Sequence, residues 1–397
     1  MIWPFRSQPE AKAVGLTTGD PARLAEIFGV QTTAAGVPVG EAGAMKQSAS
    51  RACIRLLTET VATLPVHCYR KSPDGSRDRA SDHPAERLLS GDVSPWMTSA
   101  ELRREMMFRV MLDGVAYARA IRVRGGEVRE LQPIGKGVVT RTTDPRTGEP
   151  SFKLSLANGG TETVGFRDMI EVRALGGRSP VTDAAEAIGF ALVLERHGSE
   201  LFSKGGRPSG FLKVAGKLSA EAAKRIRESW EAMHGGSQSG RTAVLEEGVD
   251  FSAATMASTD AQHAENRKLQ VEDIARHFGI PPVLIGEFAR ATWANAEQSN
   301  RQFLTFGLLP WLSIWTDALS RVLLTPEERE THFLEFETAG LVRADLSTRF
   351  EGYAKASGAP WMTPNETRRR ENMPPVAGGD VLRVPMNTEP AGDAANA

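Results

Sequence analysis

A chain of 397 residues with 41% hydrophobic and 24% charged positions can bury a substantial core, and its length suits two or three domains or one elongated body. Its 48 Lys and Arg balance 49 Asp and Glu for a formal net charge of -1, which argues against a protein that grips nucleic acid over most of its surface. Cys53 and Cys68 are its only cysteines, which excludes a cysteine-rich zinc site and a disulfide framework.

The N-terminus, MIWPFRSQPE, lacks a basic start followed by an apolar stretch, so no secretion signal is expected. The apolar run Phe303–Trp315 is shorter than the roughly 20 residues needed to cross a bilayer. A soluble, cytoplasmic setting without membrane contact is the expectation.

Residues 1–44 are rich in Gly, Ala, Thr and Pro without periodicity and read as an extended arm. A helix follows from Ser48, with Ala52, Ile54, Leu56, Leu57 and Val61 giving a broad apolar face, and it stops at Leu64-Pro65. Val66–Arg70 reads as a strand leading to a Pro73-Asp74-Gly75 turn. Thr98 or Ser99 caps the next helix, whose Leu102, Met106, Met107, Val110 and Met111 read as core filler up to Asp113-Gly114. From Val115 to Val172, short strands are broken by Gly125-Gly126, Asp144-Pro145, Thr147-Gly148 and Asn158-Gly159, and this is the β-rich part of an α+β domain.

Thr182 is the expected cap of a long helix running to Lys204-Gly205-Gly206. A small module then carries strands at Gly210–Val214 and Thr242–Leu245 around a Ser219-capped helix. A third long helix starts near Asp260 and stops at Gly279. After the Pro281-Pro282 loop, Asn295 with Gln298 suggests a capping box for a helix reaching Leu324, kinked by Pro310 beside Gly307. Leu308–Trp315 is apolar on every side and is expected to be buried within the subunit or against another copy. His332–Glu337 reads as a strand, and two short helices around Thr363–Glu366 precede a Gly/Pro/Ala-rich tail.

Chemistry-bearing motifs are lacking. Gly216-Lys217-Leu218-Ser219 fails as a phosphate loop because Leu218 holds the hydroxyl position and no glycine lies five residues before Gly216. The seven histidines have no metal-ligand spacing, and the carboxylates occur in helical charge patterns such as Glu265 with Lys268 and Glu272 with Arg276. Arg368-Arg369-Arg370 is the only dense basic run, flanked by Glu366 and Glu371 and therefore read first as a solvated helix face or subunit salt bridge. Phe288, Arg290 and Trp293 in the loop suit an interface anchor or a ligand-facing surface. The residues alone describe an elongated, self-associating α+β body with no evident catalytic centre and no cofactor. A nucleic-acid-processing enzyme with a carboxylate–metal site and a different virion head–tail adaptor ring stay open as alternatives.

Eight landmarks in one order resemble the portal proteins of tailed bacteriophages of the Hong Kong 97 type. They are Arg51–Arg55 with Leu64-Pro65 and Tyr69-Arg70, Asp113–Tyr117, Leu131–Ile134, Gly177–Pro180, Gly206–Phe211, Ile274–Gly286, Asn295–Phe303 with Leu309–Leu312, and Thr363–Arg369. The short length and Ala/Gly/Arg-rich composition are similar to portals of prophages and gene transfer agents. The resemblance implies a non-enzymatic ring of twelve subunits at one capsid vertex, assembled in the bacterial cytoplasm. Double-stranded DNA would pass through its channel, with the large terminase, a head–tail adaptor and the major capsid protein as partners.

It also names the parts: an N-terminal arm (1–44), a wing (45–180 and 295–344), stem helices (181–206 and 260–280), a clip (207–259), a tunnel loop (281–294), a small crown (345–385) and a tail (386–397). The implied site residues are Phe288, Arg290, Thr292 and Trp293 in the tunnel loop, and Arg267, Lys268 and Arg276 on the channel side of the stem. Lys224, Arg225, Arg227 and Trp230 would form the clip contact with terminase or adaptor, and Arg368, Arg369 and Arg370 would be basic crown contacts. The chain departs from the pattern in lacking an obviously basic tunnel loop and a large crown, so the loop is not expected to grip DNA strongly.

Overall fold

The computed structural model describes residues 31–72, 77–203, 210–214, 219–234, 249–253, 257–288, 293–338, 340–341, 346–358, 361–371 and 373–382. A hairpin of β1 (Gln31–Thr32) and β2 (Pro38–Val39) leads through α1 (Glu41–Lys46) into α2 (Ser48–Thr63). The Gln47 side chain caps α2 by accepting the Ser50 N–H at 2.6 Å. Cys53, Ile54, Leu57 and Val61 fall on its buried face. Leu64, held extended at ψ 128° by the following Pro65, ends it.

β3 (Val66–Lys71) pairs with β4 (Arg77–Arg79), and α3 (Pro84–Ser90), β5 (Asp92–Ser94) and β6 (Met97–Thr98) follow. Thr98 and Glu101 form a reciprocal capping box for α4 (Ser99–Asp113). That helix packs on α2 and on β7 (Val115–Arg122). Gly114 leaves α4 at φ +81°, and a Cβ there would lie 2.5 Å from the Gly177 carbonyl oxygen, so only glycine lets the two backbones meet.

β7 sits between β8 (Val128–Ile134) and β12 (Met169–Arg173). A second sheet is formed by β9 (Val139–Thr143), β10 (Pro150–Ser155) and β11 (Thr161–Gly165), the last two joined by the expected Asn158-Gly159 turn. Phe152, Leu154, Val164 and Met169 make a small satellite core there.

α5 (Pro180–Asp183) is capped by Ser179, which accepts the Thr182 N–H, so the expected cap at Thr182 is instead the donor to it. α6 (Ala185–Ser203) then packs along α8 (Ala257–His277), where Gly198 lets the His263 ring approach and His263 Nε2 meets the Leu194 carbonyl at 3.2 Å. Between them lie β13 (Gly210–Val214), α7 (Ala220–His234) and β14 (Val249–Ala253), with β13 and β14 antiparallel. The strand expected at 242–245 and the turn expected at 73–75 lie outside the described residues.

After α8 come a 3-10 turn (Pro282–Ile285), α9 (Trp293–Gln302), a π-helical turn (Phe303–Leu308) and α10 (Leu309–Leu323). α11 (Glu328–Thr331), β15 (His332–Phe336), α12 (Leu346–Gly358) and α13 (Pro364–Arg370) complete the order. β15 adds to β3, and α10 packs on β12 and β15.

Two expectations for this last region change. α9 already includes Asn295, so no capping box forms there. The helix breaks as a π turn that places Phe303, Gly307 and Leu308 in the core and admits Pro310 in the first turn of α10, where its missing N–H costs nothing. Within the subunit, the run is therefore not buried all round. Leu308, Leu312 and Trp315 are inside, while Phe306 is 75% and Leu309 43% exposed.

Two buried polar groups tie the helices together. The Arg103 guanidinium donates to the carbonyls of Val61, Ala62 and Leu64 at the end of α2, to that of Leu89 near the end of α3, and to Ser99 Oγ at the start of α4. Burial lowers its pKa to about 10. Glu86, 5% exposed, accepts from the Cys68 N–H at 2.8 Å and from Arg79, and meets His67 Nδ1 at 2.8 Å. Burial alone would raise its carboxyl, but these hydrogen bonds outweigh it and hold the group below the ordinary range.

Glu86→Gln should cost about 3 kcal/mol of stability near neutral pH in denaturant unfolding. Because the folded carboxyl titrates lower than the unfolded one, that advantage persists down to the unfolded value of about 4.3 and disappears as pH falls through the folded value. Leu308→Asp places an unpaired charge at a fully buried position and should cost about 3–5 kcal/mol or abolish soluble protein, whereas Leu309→Asp, on the exposed face, should fold normally by circular dichroism.

Candidate turn, groove and basic surfaces

The turn that follows α8 is built on two glycines. Gly279 takes φ +66° to end the helix, and the Ile280 N–H closes back onto the Ala275 carbonyl at 2.9 Å. Opposite it, Gly307 of the π turn approaches so closely that a Cβ on Gly307 would sit 2.7 Å from the Gly279 carbonyl oxygen and 3.0 Å from the Phe303 ring. Pro281 and the 3-10 turn then carry Leu284 and Ile285 onto the main core beside α2, and Gly286 leaves at φ +94°. The start of the expected loop is thus packed, and exposure begins at Gly286 and includes Phe288, which is 66% accessible.

The expected site residues divide among separate elements. Arg290 and Thr292 lie outside the described residues; Trp293 is the first residue of α9, and its side chain lies outside them too. On α8, Arg267 and Lys268 are exposed, and among the described residues neither has an ionic partner. Arg276 is exposed but engaged by Asp273 on its own helix rather than by Glu272. On α7, Lys224 and Arg225 are exposed, with Lys224 Nζ 3.8 Å from Glu228; the side chains of Arg227 and Trp230 lie outside the described residues. On α13, Arg368 Nε donates to the Pro374 carbonyl at 2.8 Å, while Arg369 and Arg370 face solvent at a helix end whose start is held by the Thr363–Glu366 capping box. Arg276 and Phe288 are joined through the Gly279 turn; the α7 and α13 groups belong to other parts of the fold.

Two cavities adjoin these elements. A polar cleft of about 630 Å³ at the end of α10 is lined by Arg122, Arg167, Arg321, Glu327, Glu328 and His83 among others. Arg122 there is spent on architecture, donating to Asp168 and to the carbonyls of Gly126, Arg167 and Val322. His83 Nδ1 accepts the Ala85 N–H, which caps α3. Among the described residues no group of three or more His, Cys, Asp and Glu is arranged to hold a metal ion.

A groove of about 590 Å³ runs between α2 and the 3-10 turn, bounded by Phe288 and Leu341. Sequence reasoning missed this groove and the outward Phe306, because a run that is apolar on every side carries no periodicity to say which face turns outward. Among the described residues no helix is long and apolar enough to cross a membrane.

The phage portal protein family model matches residues 48–372, which includes α2, the Gly279 turn, the π turn and α13. The chain is 30% identical to the portal protein of Enterobacteria phage HK97 over 83% of its length and 79% of that protein's. It is also 30% identical to the probable portal protein of Streptomyces phage phiC31, over 91% of its own length and 82% of the relative's. A chain in the neck of a native gene transfer agent particle, computed with C12 symmetry, superposes with a TM-score of 0.58 at 22% identity, over 89% of this chain and 99% of that one. From end to end of the matched region, through the packed turn as much as through the helices on either side of it, this chain belongs to the phage portal protein family.

Proposed function

We propose that the chain is the subunit of a ring of twelve at one capsid vertex, through which double-stranded DNA is packaged and later leaves. The observation that carries this is the extent of the family match, which runs through every long helix and the turn between α8 and α9. The C12 neck fold supports the stoichiometry. A formal net charge of -1 supports a conduit over a clamp, since each Lys or Arg that neutralises a phosphate adds counterion-release affinity and would slow sliding DNA.

In this reading α6 and α8 form the stem, α7 with β13 and β14 the clip, and α12 and α13 a small crown, while residues 45–180 and 295–344 form the wing. The turn after Gly279 starts a tunnel loop that continues through Arg290, Thr292 and Trp293. Arg267 and Lys268, exposed and unpaired among the described residues, are the stem cations best placed to meet phosphate, with Arg276 weakened by Asp273. Lys224, Arg225, Arg227 and Trp230 of the clip would receive the large terminase during packaging and a head–tail adaptor afterwards. The wing would seat in the major capsid protein, and Arg368, Arg369 and Arg370 would supply the basic contacts of the crown. The chain's role is structural, with the energy for translocation supplied by the terminase, and its place is the portal vertex of the particle after assembly in the bacterial cytoplasm.

Purified protein should form particles near twelve times the 43.0 kDa chain mass in mass photometry, with a central channel in negative-stain images. A chain that stays monomeric at high concentration would remove the proposal. Arg290→Ala or Trp293→Ala should leave ring mass unchanged and lower the DNA content per particle, measured by nuclease-protected DNA; unchanged packaging would take the loop out of the mechanism.

A further inference from the structure

Two histidines from distant parts of the chain, His83 before α3 and His332 at the start of β15, meet with ring centroids 5.1 Å apart and planes tilted by 42°. Their hydrogen-bond partners dictate where each ring carries its proton. His83 Nδ1 accepts the Ala85 N–H at 3.1 Å, so the neutral ring is protonated at Nε2. That nitrogen is buried without a hydrogen-bond partner, 3.4 Å from the Glu328 carboxylate.

His332 Nε2 faces the Arg70 Nε–H at 3.3 Å. A guanidinium can only donate, so Nε2 must accept and the ring proton sits on Nδ1. Nδ1 then donates to Thr331 Oγ1 at 2.9 Å, and the Thr331 hydroxyl donates to the Glu328 carbonyl at 3.3 Å.

These contacts join the two halves of the chain at one corner. β15 pairs with β3, with His332 opposite Arg70. Arg70 also meets Asp82 at 3.2 Å, and Lys71 Nζ reaches the Arg329 and Glu330 carbonyls of α11. Thr325 and Glu328 cap α11 reciprocally, directly after α10 ends. Of the side chains in these contacts, only the imidazoles ordinarily change charge between pH 5 and 8.

A proton on His332 would place a second N–H at Nε2, aimed at the Arg70 N–H. An acceptor would become a donor facing a donor, on a cation facing a cation. The charged groups around the ring are Arg70 from β3, His83 from the segment before α3 and Glu328 from α11, while α10 brings Arg321 to the cleft that His83 and Glu328 line. Burial, then His83 and Arg70, hold the His332 pKa below the ordinary imidazole range, against the Glu328 carboxylate and carbonyl.

We propose that His332 is a proton-sensitive latch, which when neutral accepts from Arg70 and holds the α11–β15 corner against β3, and when protonated leaves Arg70 and loosens that corner. The latch works within one subunit and goes beyond the ring reading without depending on it. Because the folded ring titrates below the unfolded value of about 6.5, the latch is complete above that pH and is lost as pH falls through the folded value.

The test is hydrogen exchange by mass spectrometry on the full chain at pH 7.5 and 5.5, corrected for the intrinsic pH dependence of exchange. Peptides covering residues 328–336 should exchange about threefold faster or more at pH 5.5, while peptides from β7 should not change. His332→Gln keeps an acceptor for Arg70 but cannot take up the proton, and it should remove the acid response. An unsubstituted chain without the response overturns the latch, and a response that survives in His332→Gln overturns it in favour of another titrating group. Should His332→Gln fail to fold, Arg70→Gln decides. Loss of its guanidinium should bring residues 328–336 at pH 7.5 to the exchange rate that the unsubstituted chain reaches at pH 5.5, and exchange unchanged from the unsubstituted chain overturns the proposal.

Discussion

The close approach of Gly279 to Gly307 is the constraint on which the functional half of the molecule depends. A helix ending at φ +66° and a π turn passing over its last carbonyl leave no room for a side chain on Gly307. That contact sets the angle at which α8 hands the chain to the 3-10 turn. It also fixes the register in which Phe303 and Leu308 enter the core while Phe306 leaves it. The extra residue of a π turn rotates everything before it relative to everything after it, so one glycine decides which side of a long apolar run meets solvent. Pro310 then starts α10 where its missing N–H has no partner to lose.

The other wall of the groove is held by different means. Arg103 gathers the ends of α2 and α3 and the start of α4 on one guanidinium, with no carboxylate in the set. A buried cation facing only carbonyls and a hydroxyl is tolerated because the carbonyls at a helix end carry the negative end of its dipole and would otherwise be unpaired. Phe336 of β15 lies beneath the same guanidinium, 6.0 Å from its Cζ, so the strand added from the C-terminal half is tied to the N-terminal helices. Glu86 does the converse for β3 and β4, neutralising cationic and N–H groups around a buried carboxylate. The α2 surface that lines the groove is positioned by these polar knots as much as by apolar packing.

Much of this was legible in the sequence where one residue dictates a local geometry. Gly114 as a helix end, Gly279 as a left-handed stop, Leu64-Pro65 as a helix end, Thr98 as one of two candidate caps and Asn158-Gly159 as a hairpin all depend on backbone preferences of one or two residues, and they appear in the structure. The failures share a cause. Ser179 displaced Thr182 as a cap, and Asn295 was absorbed into a helix, because several residues in each stretch had the chemistry and only tertiary contacts choose among them. The exposure of Phe306 was illegible because Phe303–Trp315 offers apolar residues to every side, and only the π turn says which side is in. Arg103 and Glu86 were invisible for the opposite reason, since charged residues on helices read as surface until the groups they satisfy are known.

A ring built from one repeating contact makes particular demands on its subunit. It needs an interface firm enough to close yet confined to the sides, so that the inner surface stays free to let a polyanion slide. An apolar side contact meets that demand better than ion pairs would. Cations spent on the side contact would lie near the channel and hold phosphates, whereas burying a phenylalanine contributes about 2 kcal/mol with no field beyond its own contact. The near-equality of acidic and basic residues across the chain fits that requirement.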